Sequence, residues 1–230
     1  MATLTVGAGQ QFARIADAVA ASHDGDVIRV QAGTYVNDFA TISTKISIVG
    51  VGGMVHLVAT QPIPNGKAIL IANTDATLTN IEFSGAQVAD GNGAGIRYQG
   101  GNLVVTNSYF HDNQDGILAN ASASGTITID NSEFAHNGAG DGYSHGIYVN
   151  NIAKLTITDS YFHDALVGHE IKSRAQETVI SNTRIYDNAG TASYSIDLPN
   201  GGKATLSNNV IEQGAKSENP AIVHFGGEGT

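Results

Sequence analysis

The chain has 230 residues, 41% apolar residues, 28 glycines, no cysteine and a formal net charge of −10. The absence of cysteine excludes disulfides and thiolate metal sites, and the negative charge argues against a nucleic-acid partner. No segment approaches the roughly 20 apolar residues of a membrane span, and the opening MATLTVGAGQ lacks the regions of a secretory signal peptide. Many glycines with only 4 prolines indicate short strands joined by tight turns.

The first predicted element is a short amphipathic helix at about 12–22. Phe12, Ile15, Ala16 and Val19 have the spacing of one helical face. An alternating strand, VIRVQAGTYV, follows it. Because a solenoid must cover its open hydrophobic end, we expect this helix to be an N-terminal cap.

A repeated motif dominates the rest of the chain. Each copy has an apolar strand, an Asn or Asp, two further residues and then Phe or Ile. The copies end at Phe83, Phe110, Phe134, Phe162, Ile185 and Ile211. A second landmark, an isoleucine, follows each copy at Ile96, Ile117, Ile147, Ile171, Ile196 and Ile222. Since both landmarks return after about 25 residues, the repeat predicts stacked coils of three short strands, about 4.8 Å apart.

A polar ladder lies three residues before each Phe or Ile. Its members are Asn80, Asn107, Asn131, Asp159, Asn182 and Asn208. Asn and Asp tolerate left-handed turns, and their side chains bond neighbouring turns. We therefore expect this ladder to be structural, and we expect the same of the turn histidines His111, His136 and His163.

The segment VGAGQQFARIADAV…GDVIRVQAGTY and the NSxF and GIxV repeats resemble the pectate-lyase-like right-handed β-helix superfamily over essentially the whole chain. The resemblance implies an all-β fold, a right-handed parallel β-helix of three-strand coils with roughly nine turns and a short N-terminal capping helix. Residues 1–230 would form a single domain. The superfamily includes polysaccharide lyases, C5-epimerases, glycoside hydrolases and non-catalytic adhesins, so the fold alone leaves the function open.

The last residues, HFGGEGT, have no obvious cap. Natural proteins normally cover an open sheet edge, so we expect the chain to be part of a longer protein, and an uncovered edge would invite self-association of unknown order. GGEG resembles half of a calcium-binding nonapeptide. Relatives resembling alginate epimerases carry such repeats, which implies a secreted or cell-surface protein exported without a signal peptide.

The outward-facing side chains follow from the two-residue alternation of a strand. If the landmark isoleucines point inward, the residues one and three positions later point outward. The first outward column is Arg97, Leu118, Tyr148, Lys172, Asp197 and Val223. The second column is Gln99, Asn120, Asn150, Arg174, Pro199 and Phe225. Glycines just before the isoleucines are expected to leave a shallow trough.

Ionisable and aromatic side chains concentrate in the middle three coils. The predicted catalytic residues are His145, Tyr148, His169, Lys172 and Arg174. The predicted substrate-binding residues are Arg97, Asn150, Glu170, Tyr194, Asp197, Asp141 and Tyr143. The last two lie in the insertion GAGDGYS, which we expect to form one wall of a groove.

A groove across parallel strands suits an extended polysaccharide, and a basic centre suits a polymer that carries carboxylates. Elimination from a uronate needs a cation for the carboxylate, a base for the C5 proton and an acid for the O4 leaving group. Arg174 suits the carboxylate. Lys172, His145 or His169 are candidates for the base, and Tyr148 for the acid or for both roles in turn. The sequence therefore predicts a β-elimination lyase or C5-epimerase acting on an acidic, uronic-acid-containing polysaccharide.

Two other functions remain open. A glycoside hydrolase needs paired carboxylates, which Glu170 and Asp197 would supply. A non-catalytic glycan-binding or adhesin module is the second alternative, because few aromatic residues lie near the groove.

The chain contains no EF-hand, zinc or Walker motif. Calcium is the metal that carboxylates at turns would suit. Candidates are Asp112, Asp115, Asp141, Asp164 and Asp187. Two aligned histidines, His145 and His169, would also suit a transition metal.

Overall fold

In the computed structural model, which describes residues 1–229, the chain forms 23 short strands and one helix. In chain order these are β1 (Thr3–Val6), α1 (Ile15–Ala21), β2 (Val27–Val36), β3 (Ala40–Ile42), β4 (Ile46–Val58), β5 (Ala68–Ala72), β6 (Ala76–Thr79), β7 (Ile81–Ser84), β8 (Ala94–Tyr98), β9 (Asn102–Thr106), β10 (Tyr109–His111), β11 (Asp115–Ala119), β12 (Ser122–Asp130), β13 (Glu133–Ala135), β14 (Ile147–Val149), β15 (Ile152–Thr158), β16 (Tyr161–His163), β17 (Ile171–Ser173), β18 (Glu177–Ser181), β19 (Arg184–Tyr186), β20 (Ile196–Leu198), β21 (Lys203–Ser207), β22 (Val210–Glu212) and β23 (Val223–Phe225).

The strands stack into three parallel faces. The first face runs through β6, β9, β12, β15, β18 and β21, and the second through β7, β10, β13, β16, β19 and β22. β4 turns the corner between them, pairing with β6 over Ile46–Val49 and with β7 over Val55–Val58. The third face, here called the groove face, runs from β3 through β5, β8, β11, β14, β17 and β20 to β23. The predicted right-handed parallel β-helix of about nine turns is confirmed.

The interior is built from the repeated landmarks. The rings of Phe83, Phe110, Phe134 and Phe162 stack with centroids 4.4 to 4.7 Å apart. Ile147 and Ile171 are completely buried, which confirms that the landmark isoleucines of the middle coils point inward. Register is thereby fixed, because a slip of one residue would expose the whole apolar column.

The polar ladder has the structural role that its composition predicts. All six members adopt left-handed backbone conformations, with φ between 44° and 67°. Each begins the corner between the first and second faces, and Asn131 donates from its amide to Oδ1 of Asn107 at 2.5 Å. Short amide side chains tolerate this conformation better than most residues do.

Helix α1 packs against β1, β2 and β3 and buries Ile15, Ala18 and Val19 over the first coil. It is shorter than predicted because Phe12 forms a bridge with Val6 instead of a helical turn. The carboxylate of Asp38 accepts hydrogen bonds from the amides of Ile15 and Ala16, at 2.6 and 3.0 Å, and so caps the helix. No helix among residues 1–229 is long and apolar enough to cross a membrane.

The last coil departs from the predicted register by one residue. Val223, not Ile222, pairs with Ile196, and His224 pairs with Asp197. The carbonyl of Ile222 accepts the Ile196 amide hydrogen bond, so the loop before β23 has one more residue than the repeat implied. Several apolar side chains of this end are exposed, namely Leu206, Val210, Ile222, Val223 and Phe225.

Candidate functional site

The groove face brings the first outward column together. Ladder pairing sets Arg97 beside Leu118, Leu118 beside Tyr148, Tyr148 beside Lys172 and Lys172 beside Asp197. The column ends at His224 instead of the predicted Val223, because of the extra residue before β23. Strand stacking therefore holds Tyr148 and Lys172 on adjacent rungs, about 4.8 Å apart.

Asp197 is the centre of a charged cluster. Its Oδ2 lies 3.0 Å from Nζ of Lys172 and 3.2 Å from Nε2 of His169, and its Oδ1 lies 2.7 Å from Nδ1 of His224. Burial alone would raise the pKa of Asp197, but hydrogen bonds from His169, His224 and Lys172 outweigh it and hold that pKa well below its usual range. Asp197 is only 2% exposed. It is thus a buried counter-ion for the cluster and not the direct substrate contact predicted.

The two predicted histidines stack on adjacent rungs, with centroids 4.9 Å apart. Nδ1 of His145 accepts the backbone N–H of His169, and Nδ1 of His169 accepts that of Tyr194, both at 3.1 Å. A neutral ring in either position carries its proton on Nε2. Burial, with the nearby charges of His169 and Lys172, lowers the pKa of His145 well below its ordinary value. Neutral His145 is therefore an Nε2 hydrogen-bond donor, which favours a positioning role over proton abstraction.

Glu170 does not face the groove as predicted. It is buried, and its Oε1 accepts the amide of Ala165 at 2.8 Å. Burial raises its pKa well above the usual value. The position just before the isoleucine lies in a bend at Gly146, Glu170 and Ser195, and in the earlier coils it also points inward: a Cβ on Gly95 would come within 2.9 Å of the Phe110 ring. Gly95 and Gly116 therefore make room for the Phe stack and leave no trough. Because Glu170 is buried, it does not form the carboxylate pair of a hydrolase with Asp197.

Arg174 lies on the border of the groove beside a cavity of about 680 Å³. Its Nε donates to the hydroxyl oxygen of Tyr148 at 3.1 Å, and its Nη1 donates to Oδ1 of Asn200. Its Nη2 lies 2.5 Å from Oε2 of Glu228. Asn150 lines the same cavity. Tyr148, Arg174 and the cavity thus form one continuous site.

The remaining predicted binding residues lie around this centre. Arg97 is two rungs from Tyr148 and donates to Oδ1 of Asn120 at 2.5 Å. Tyr194 stacks on His224, with centroids 4.9 Å apart. In the insertion, Oδ1 of Asp141 caps its own loop by accepting the Tyr143 amide at 2.9 Å, and Tyr143 is 87% exposed.

Within residues 1–229, no group of three or more His, Asp or Glu side chains is arranged to hold a metal ion. The turn aspartates serve local contacts instead: Asp112 and Asp164 bond His111 and His163, and Asp187 accepts the amide of Ala192. Nδ1 of both stacked histidines already accepts a backbone N–H. The donor arrangement therefore fits neither the calcium nor the transition metal considered from the sequence.

Three residues of the site were missed by the sequence reasoning: Asn200, His224 and Glu228. His224 was assigned to no column because its coil is offset by one residue. Glu228 reaches Arg174 across 54 residues of sequence. A periodic pattern carries no signal for either contact.

Comparison with known proteins supports the architecture. The family model described as "Right handed beta helix region" matches residues 67–228. No curated protein matches the chain by sequence.

Three solved structures show the same fold. The pectate lyase Pel9A superposes with a TM-score of 0.64 at 14% identity, covering 91% of this chain and 62% of its own. A mutant of the PL6 family alginate lyase AlyGC superposes with a TM-score of 0.63 at 15% identity, and the match covers 97% of this chain and 37% of the lyase. A pectin methylesterase from Aspergillus niger superposes with a TM-score of 0.50 at 16% identity, and the match covers 99% of this chain and 89% of the esterase. The chain thus spans less than two thirds of the length of either lyase.

Proposed function

The chain belongs to the right-handed β-helix family, and we propose that its groove acts on a uronic-acid-containing polysaccharide by abstraction of the C5 proton, as a β-elimination lyase or a C5-epimerase. The shared fold of a pectate lyase and an alginate lyase supports this class of substrate. Because fold alone leaves the reaction open, the proposal depends on the side chains of the groove. A polymer substrate of this kind also favours a secreted or cell-surface protein.

The observation that carries the proposal is the contact between Arg174 and the carboxylate of Glu228, at 2.5 Å. A guanidinium offers several N–H donors to a carboxylate. Glu228 is an exposed residue, so it can leave and be replaced by the carboxylate of a bound uronate. That exchange would set the sugar beside Tyr148, which shares the same guanidinium through Nε.

Tyr148 is the base that this geometry favours. Its oxygen accepts a hydrogen bond from Arg174, and a tyrosine base acts as the phenolate, so the guanidinium would lie directly beside its negative charge. Lys172, by contrast, forms an ion pair with the Asp197 carboxylate at 3.0 Å, which places it as a proton donor. Lys172 is then the acid, and its side chain is still 14% exposed to the groove.

The proposed elimination moves two protons and breaks one C–O bond. Tyr148 takes the C5 proton while Arg174 offsets the charge that develops on the substrate carboxylate. The electron pair of the C5–H bond becomes the second bond between C4 and C5, and the C4–O4 bond breaks. O4 receives a proton from Lys172. In the epimerase variant the same first step is followed by reprotonation of C5 from the opposite face.

His145, His169 and His224 lie next to the proposed base and acid. His169 and His224 hold Asp197 in position for Lys172. His145 stacks near Tyr148, with centroids 5.8 Å apart. Each is therefore proposed as a positioning residue.

The test is turnover on alginate, polyglucuronate, pectate and hyaluronan, with two readouts. A lyase generates the ultraviolet absorbance of a C4–C5 unsaturated uronate. An epimerase incorporates deuterium at C5 in heavy water without that absorbance. Absence of both signals on all four polymers would refute the proposal and leave a non-catalytic glycan-binding module.

A further inference from the structure

The second face carries a separate cavity of about 480 Å³, called here the tyrosine cavity. Four of its lining side chains occupy successive rungs of one outward column: Tyr109, Glu133, Tyr161 and Arg184. An aromatic ring, a carboxylate, a second ring and a guanidinium thus follow one another along the solenoid axis. None of these residues belongs to the groove face.

The two rings are held in the same way. Tyr109 stacks on His111 with centroids 4.4 Å apart, and Tyr161 stacks on His163 at 4.1 Å. Nε2 of His111 lies 3.1 Å from the carboxylate of Glu82.

The second histidine is fixed by an equivalent contact, since Nε2 of His163 lies 3.1 Å from the carboxylate of Glu133. The adjacent aspartates complete both arrangements: Asp112 and Asp164 lie 2.6 and 2.7 Å from Nδ1 of their histidines. Two fixed rings therefore line the cavity. They lie two rungs apart, which is about 9.6 Å because adjacent strands are about 4.8 Å apart.

Arg184 and Glu133 are the charged groups of the cavity that a ligand would meet beside the rings, Glu133 also holds His163, and Asp159 lines the cavity as well. Among residues 1–229, Arg184 makes no ion pair, and its guanidinium carbon lies 4.5 Å from the centre of the Tyr161 ring. The side chain of Glu133 is 46% exposed. A bound molecule would find a cation and a hydrogen-bond acceptor beside the rings.

We propose that the tyrosine cavity is a second saccharide-binding site, which takes a short segment of an acidic oligosaccharide lying along the solenoid axis. Apolar faces of sugar rings pack on aromatic rings, and Tyr109 would contact one sugar in this way, while Arg184, which lies over the Tyr161 ring, would face a sugar further along the extended chain. Arg184 would bind a sugar carboxylate, and Glu133 would accept hydrogen bonds from sugar hydroxyls. The site would hold the polymer on a face of the solenoid other than the groove.

Only the choice of uronates as the test ligand rests on the proposed function, and binding is measured without turnover. Alginate and pectate hexasaccharides are titrated calorimetrically into the full chain carrying Arg174→Gln, which weakens the groove. We expect residual binding of one hexasaccharide per chain. Adding Arg184→Gln should weaken it about tenfold, as expected for loss of a charge-assisted hydrogen bond.

Arg29→Gln is the matched control, because Arg29 is an exposed arginine on the first face of the solenoid. It should leave the residual affinity unchanged. Tyr109→Ala should weaken binding as Arg184→Gln does, with folding checked by thermal unfolding.

Three results would overturn the inference: no residual binding, residual binding that neither Arg184→Gln nor Tyr109→Ala weakens, or equal binding of neutral glucan hexasaccharides. Binding at the tyrosine cavity by a protein without turnover would leave this inference standing and refute only the proposed function.

Discussion

Arg174 and Glu228 are joined across 54 residues of sequence by a hydrogen bond of 2.5 Å between Nη2 and a carboxylate oxygen. The chain around Glu228 is fixed by further contacts: its amide donates to the carbonyl of Pro199 at 3.0 Å, and Asn200 donates to the carbonyl of Gly229 at 2.6 Å. The Glu228 carboxylate therefore binds the Arg174 guanidinium in the place that we assign to the substrate carboxylate. Bound substrate and Glu228 would compete for one cation.

Replacing Glu228 by Gln should strengthen the binding of uronate oligosaccharides. The neutral amide competes less well for Arg174, and the gain expected from removing a charged competitor is up to about tenfold in Kd. Calorimetric titration measures it. Glu212→Gln is the matched control, since Glu212 is also an exposed glutamate near this end of the chain. Weaker binding by Glu228→Gln would mean that Glu228 assists the substrate instead of competing with it.

Replacing Tyr148 by Phe should lower kcat by about 10²- to 10⁴-fold, the usual contribution of a positioned acid or base. KM should change little, because the ring and its packing remain. Initial rates on the best polymer measure both constants. Tyr35→Phe is the control, because it also removes a hydrogen-bonded hydroxyl, the one that donates to Gln31 at 2.9 Å, but far from the groove in β2. If Tyr148→Phe retains full kcat, Tyr148 is not the base.

Replacing Asp197 by Asn should destabilise the fold by about 3 kcal/mol near neutral pH, since Lys172 loses its buried counter-ion. The pKa of Asp197 is lower in the folded protein than the ordinary aspartate value of about 3.9, so its stabilisation is fully present above about pH 4 and is lost as pH falls towards the folded pKa. Urea unfolding at a series of pH values measures this. The difference between wild type and variant should shrink below pH 4, and a constant difference would contradict the assignment.

The imidazole of His145 should remain neutral at pH 6.5, where an ordinary histidine is half protonated. Because its pKa is lower folded than unfolded, the unfolded chain takes up the proton first, and stability falls as pH drops below about 6.5. The nitrogen NMR chemical shifts of the imidazole report its protonation state and tautomer, and we expect the single proton on Nε2. His145→Gln should remove this part of the pH dependence of unfolding. A protonated ring at pH 6.5 would contradict the burial argument.

The repeat predicted most of the fold for a simple physical reason. Parallel coils in register place equivalent residues above one another, so the spacing of Phe110 and Phe134, or of Ile147 and Ile171, specifies both the coil length and the interior. The alternation of a strand then identifies Tyr148 and Lys172 as outward neighbours, which the ladder pairing confirms. These conclusions need only local periodicity and burial.

Other features depended on the folded chain. Glu170 turns inward because the backbone bends just before Ile171, where the alternation of a strand no longer applies. His224 enters the groove because the loop before it has one extra residue, and loops do not follow the repeat. The tautomers of the stacked histidines and the contact of Glu228 with Arg174 depend on hydrogen bonds between distant segments. The sequence by itself determined the coil, its core and the column of the groove. The tertiary structure alone decided which charged groups contact one another there, because those contacts depend on bends, loop lengths and long-range hydrogen bonds that do not follow the repeat.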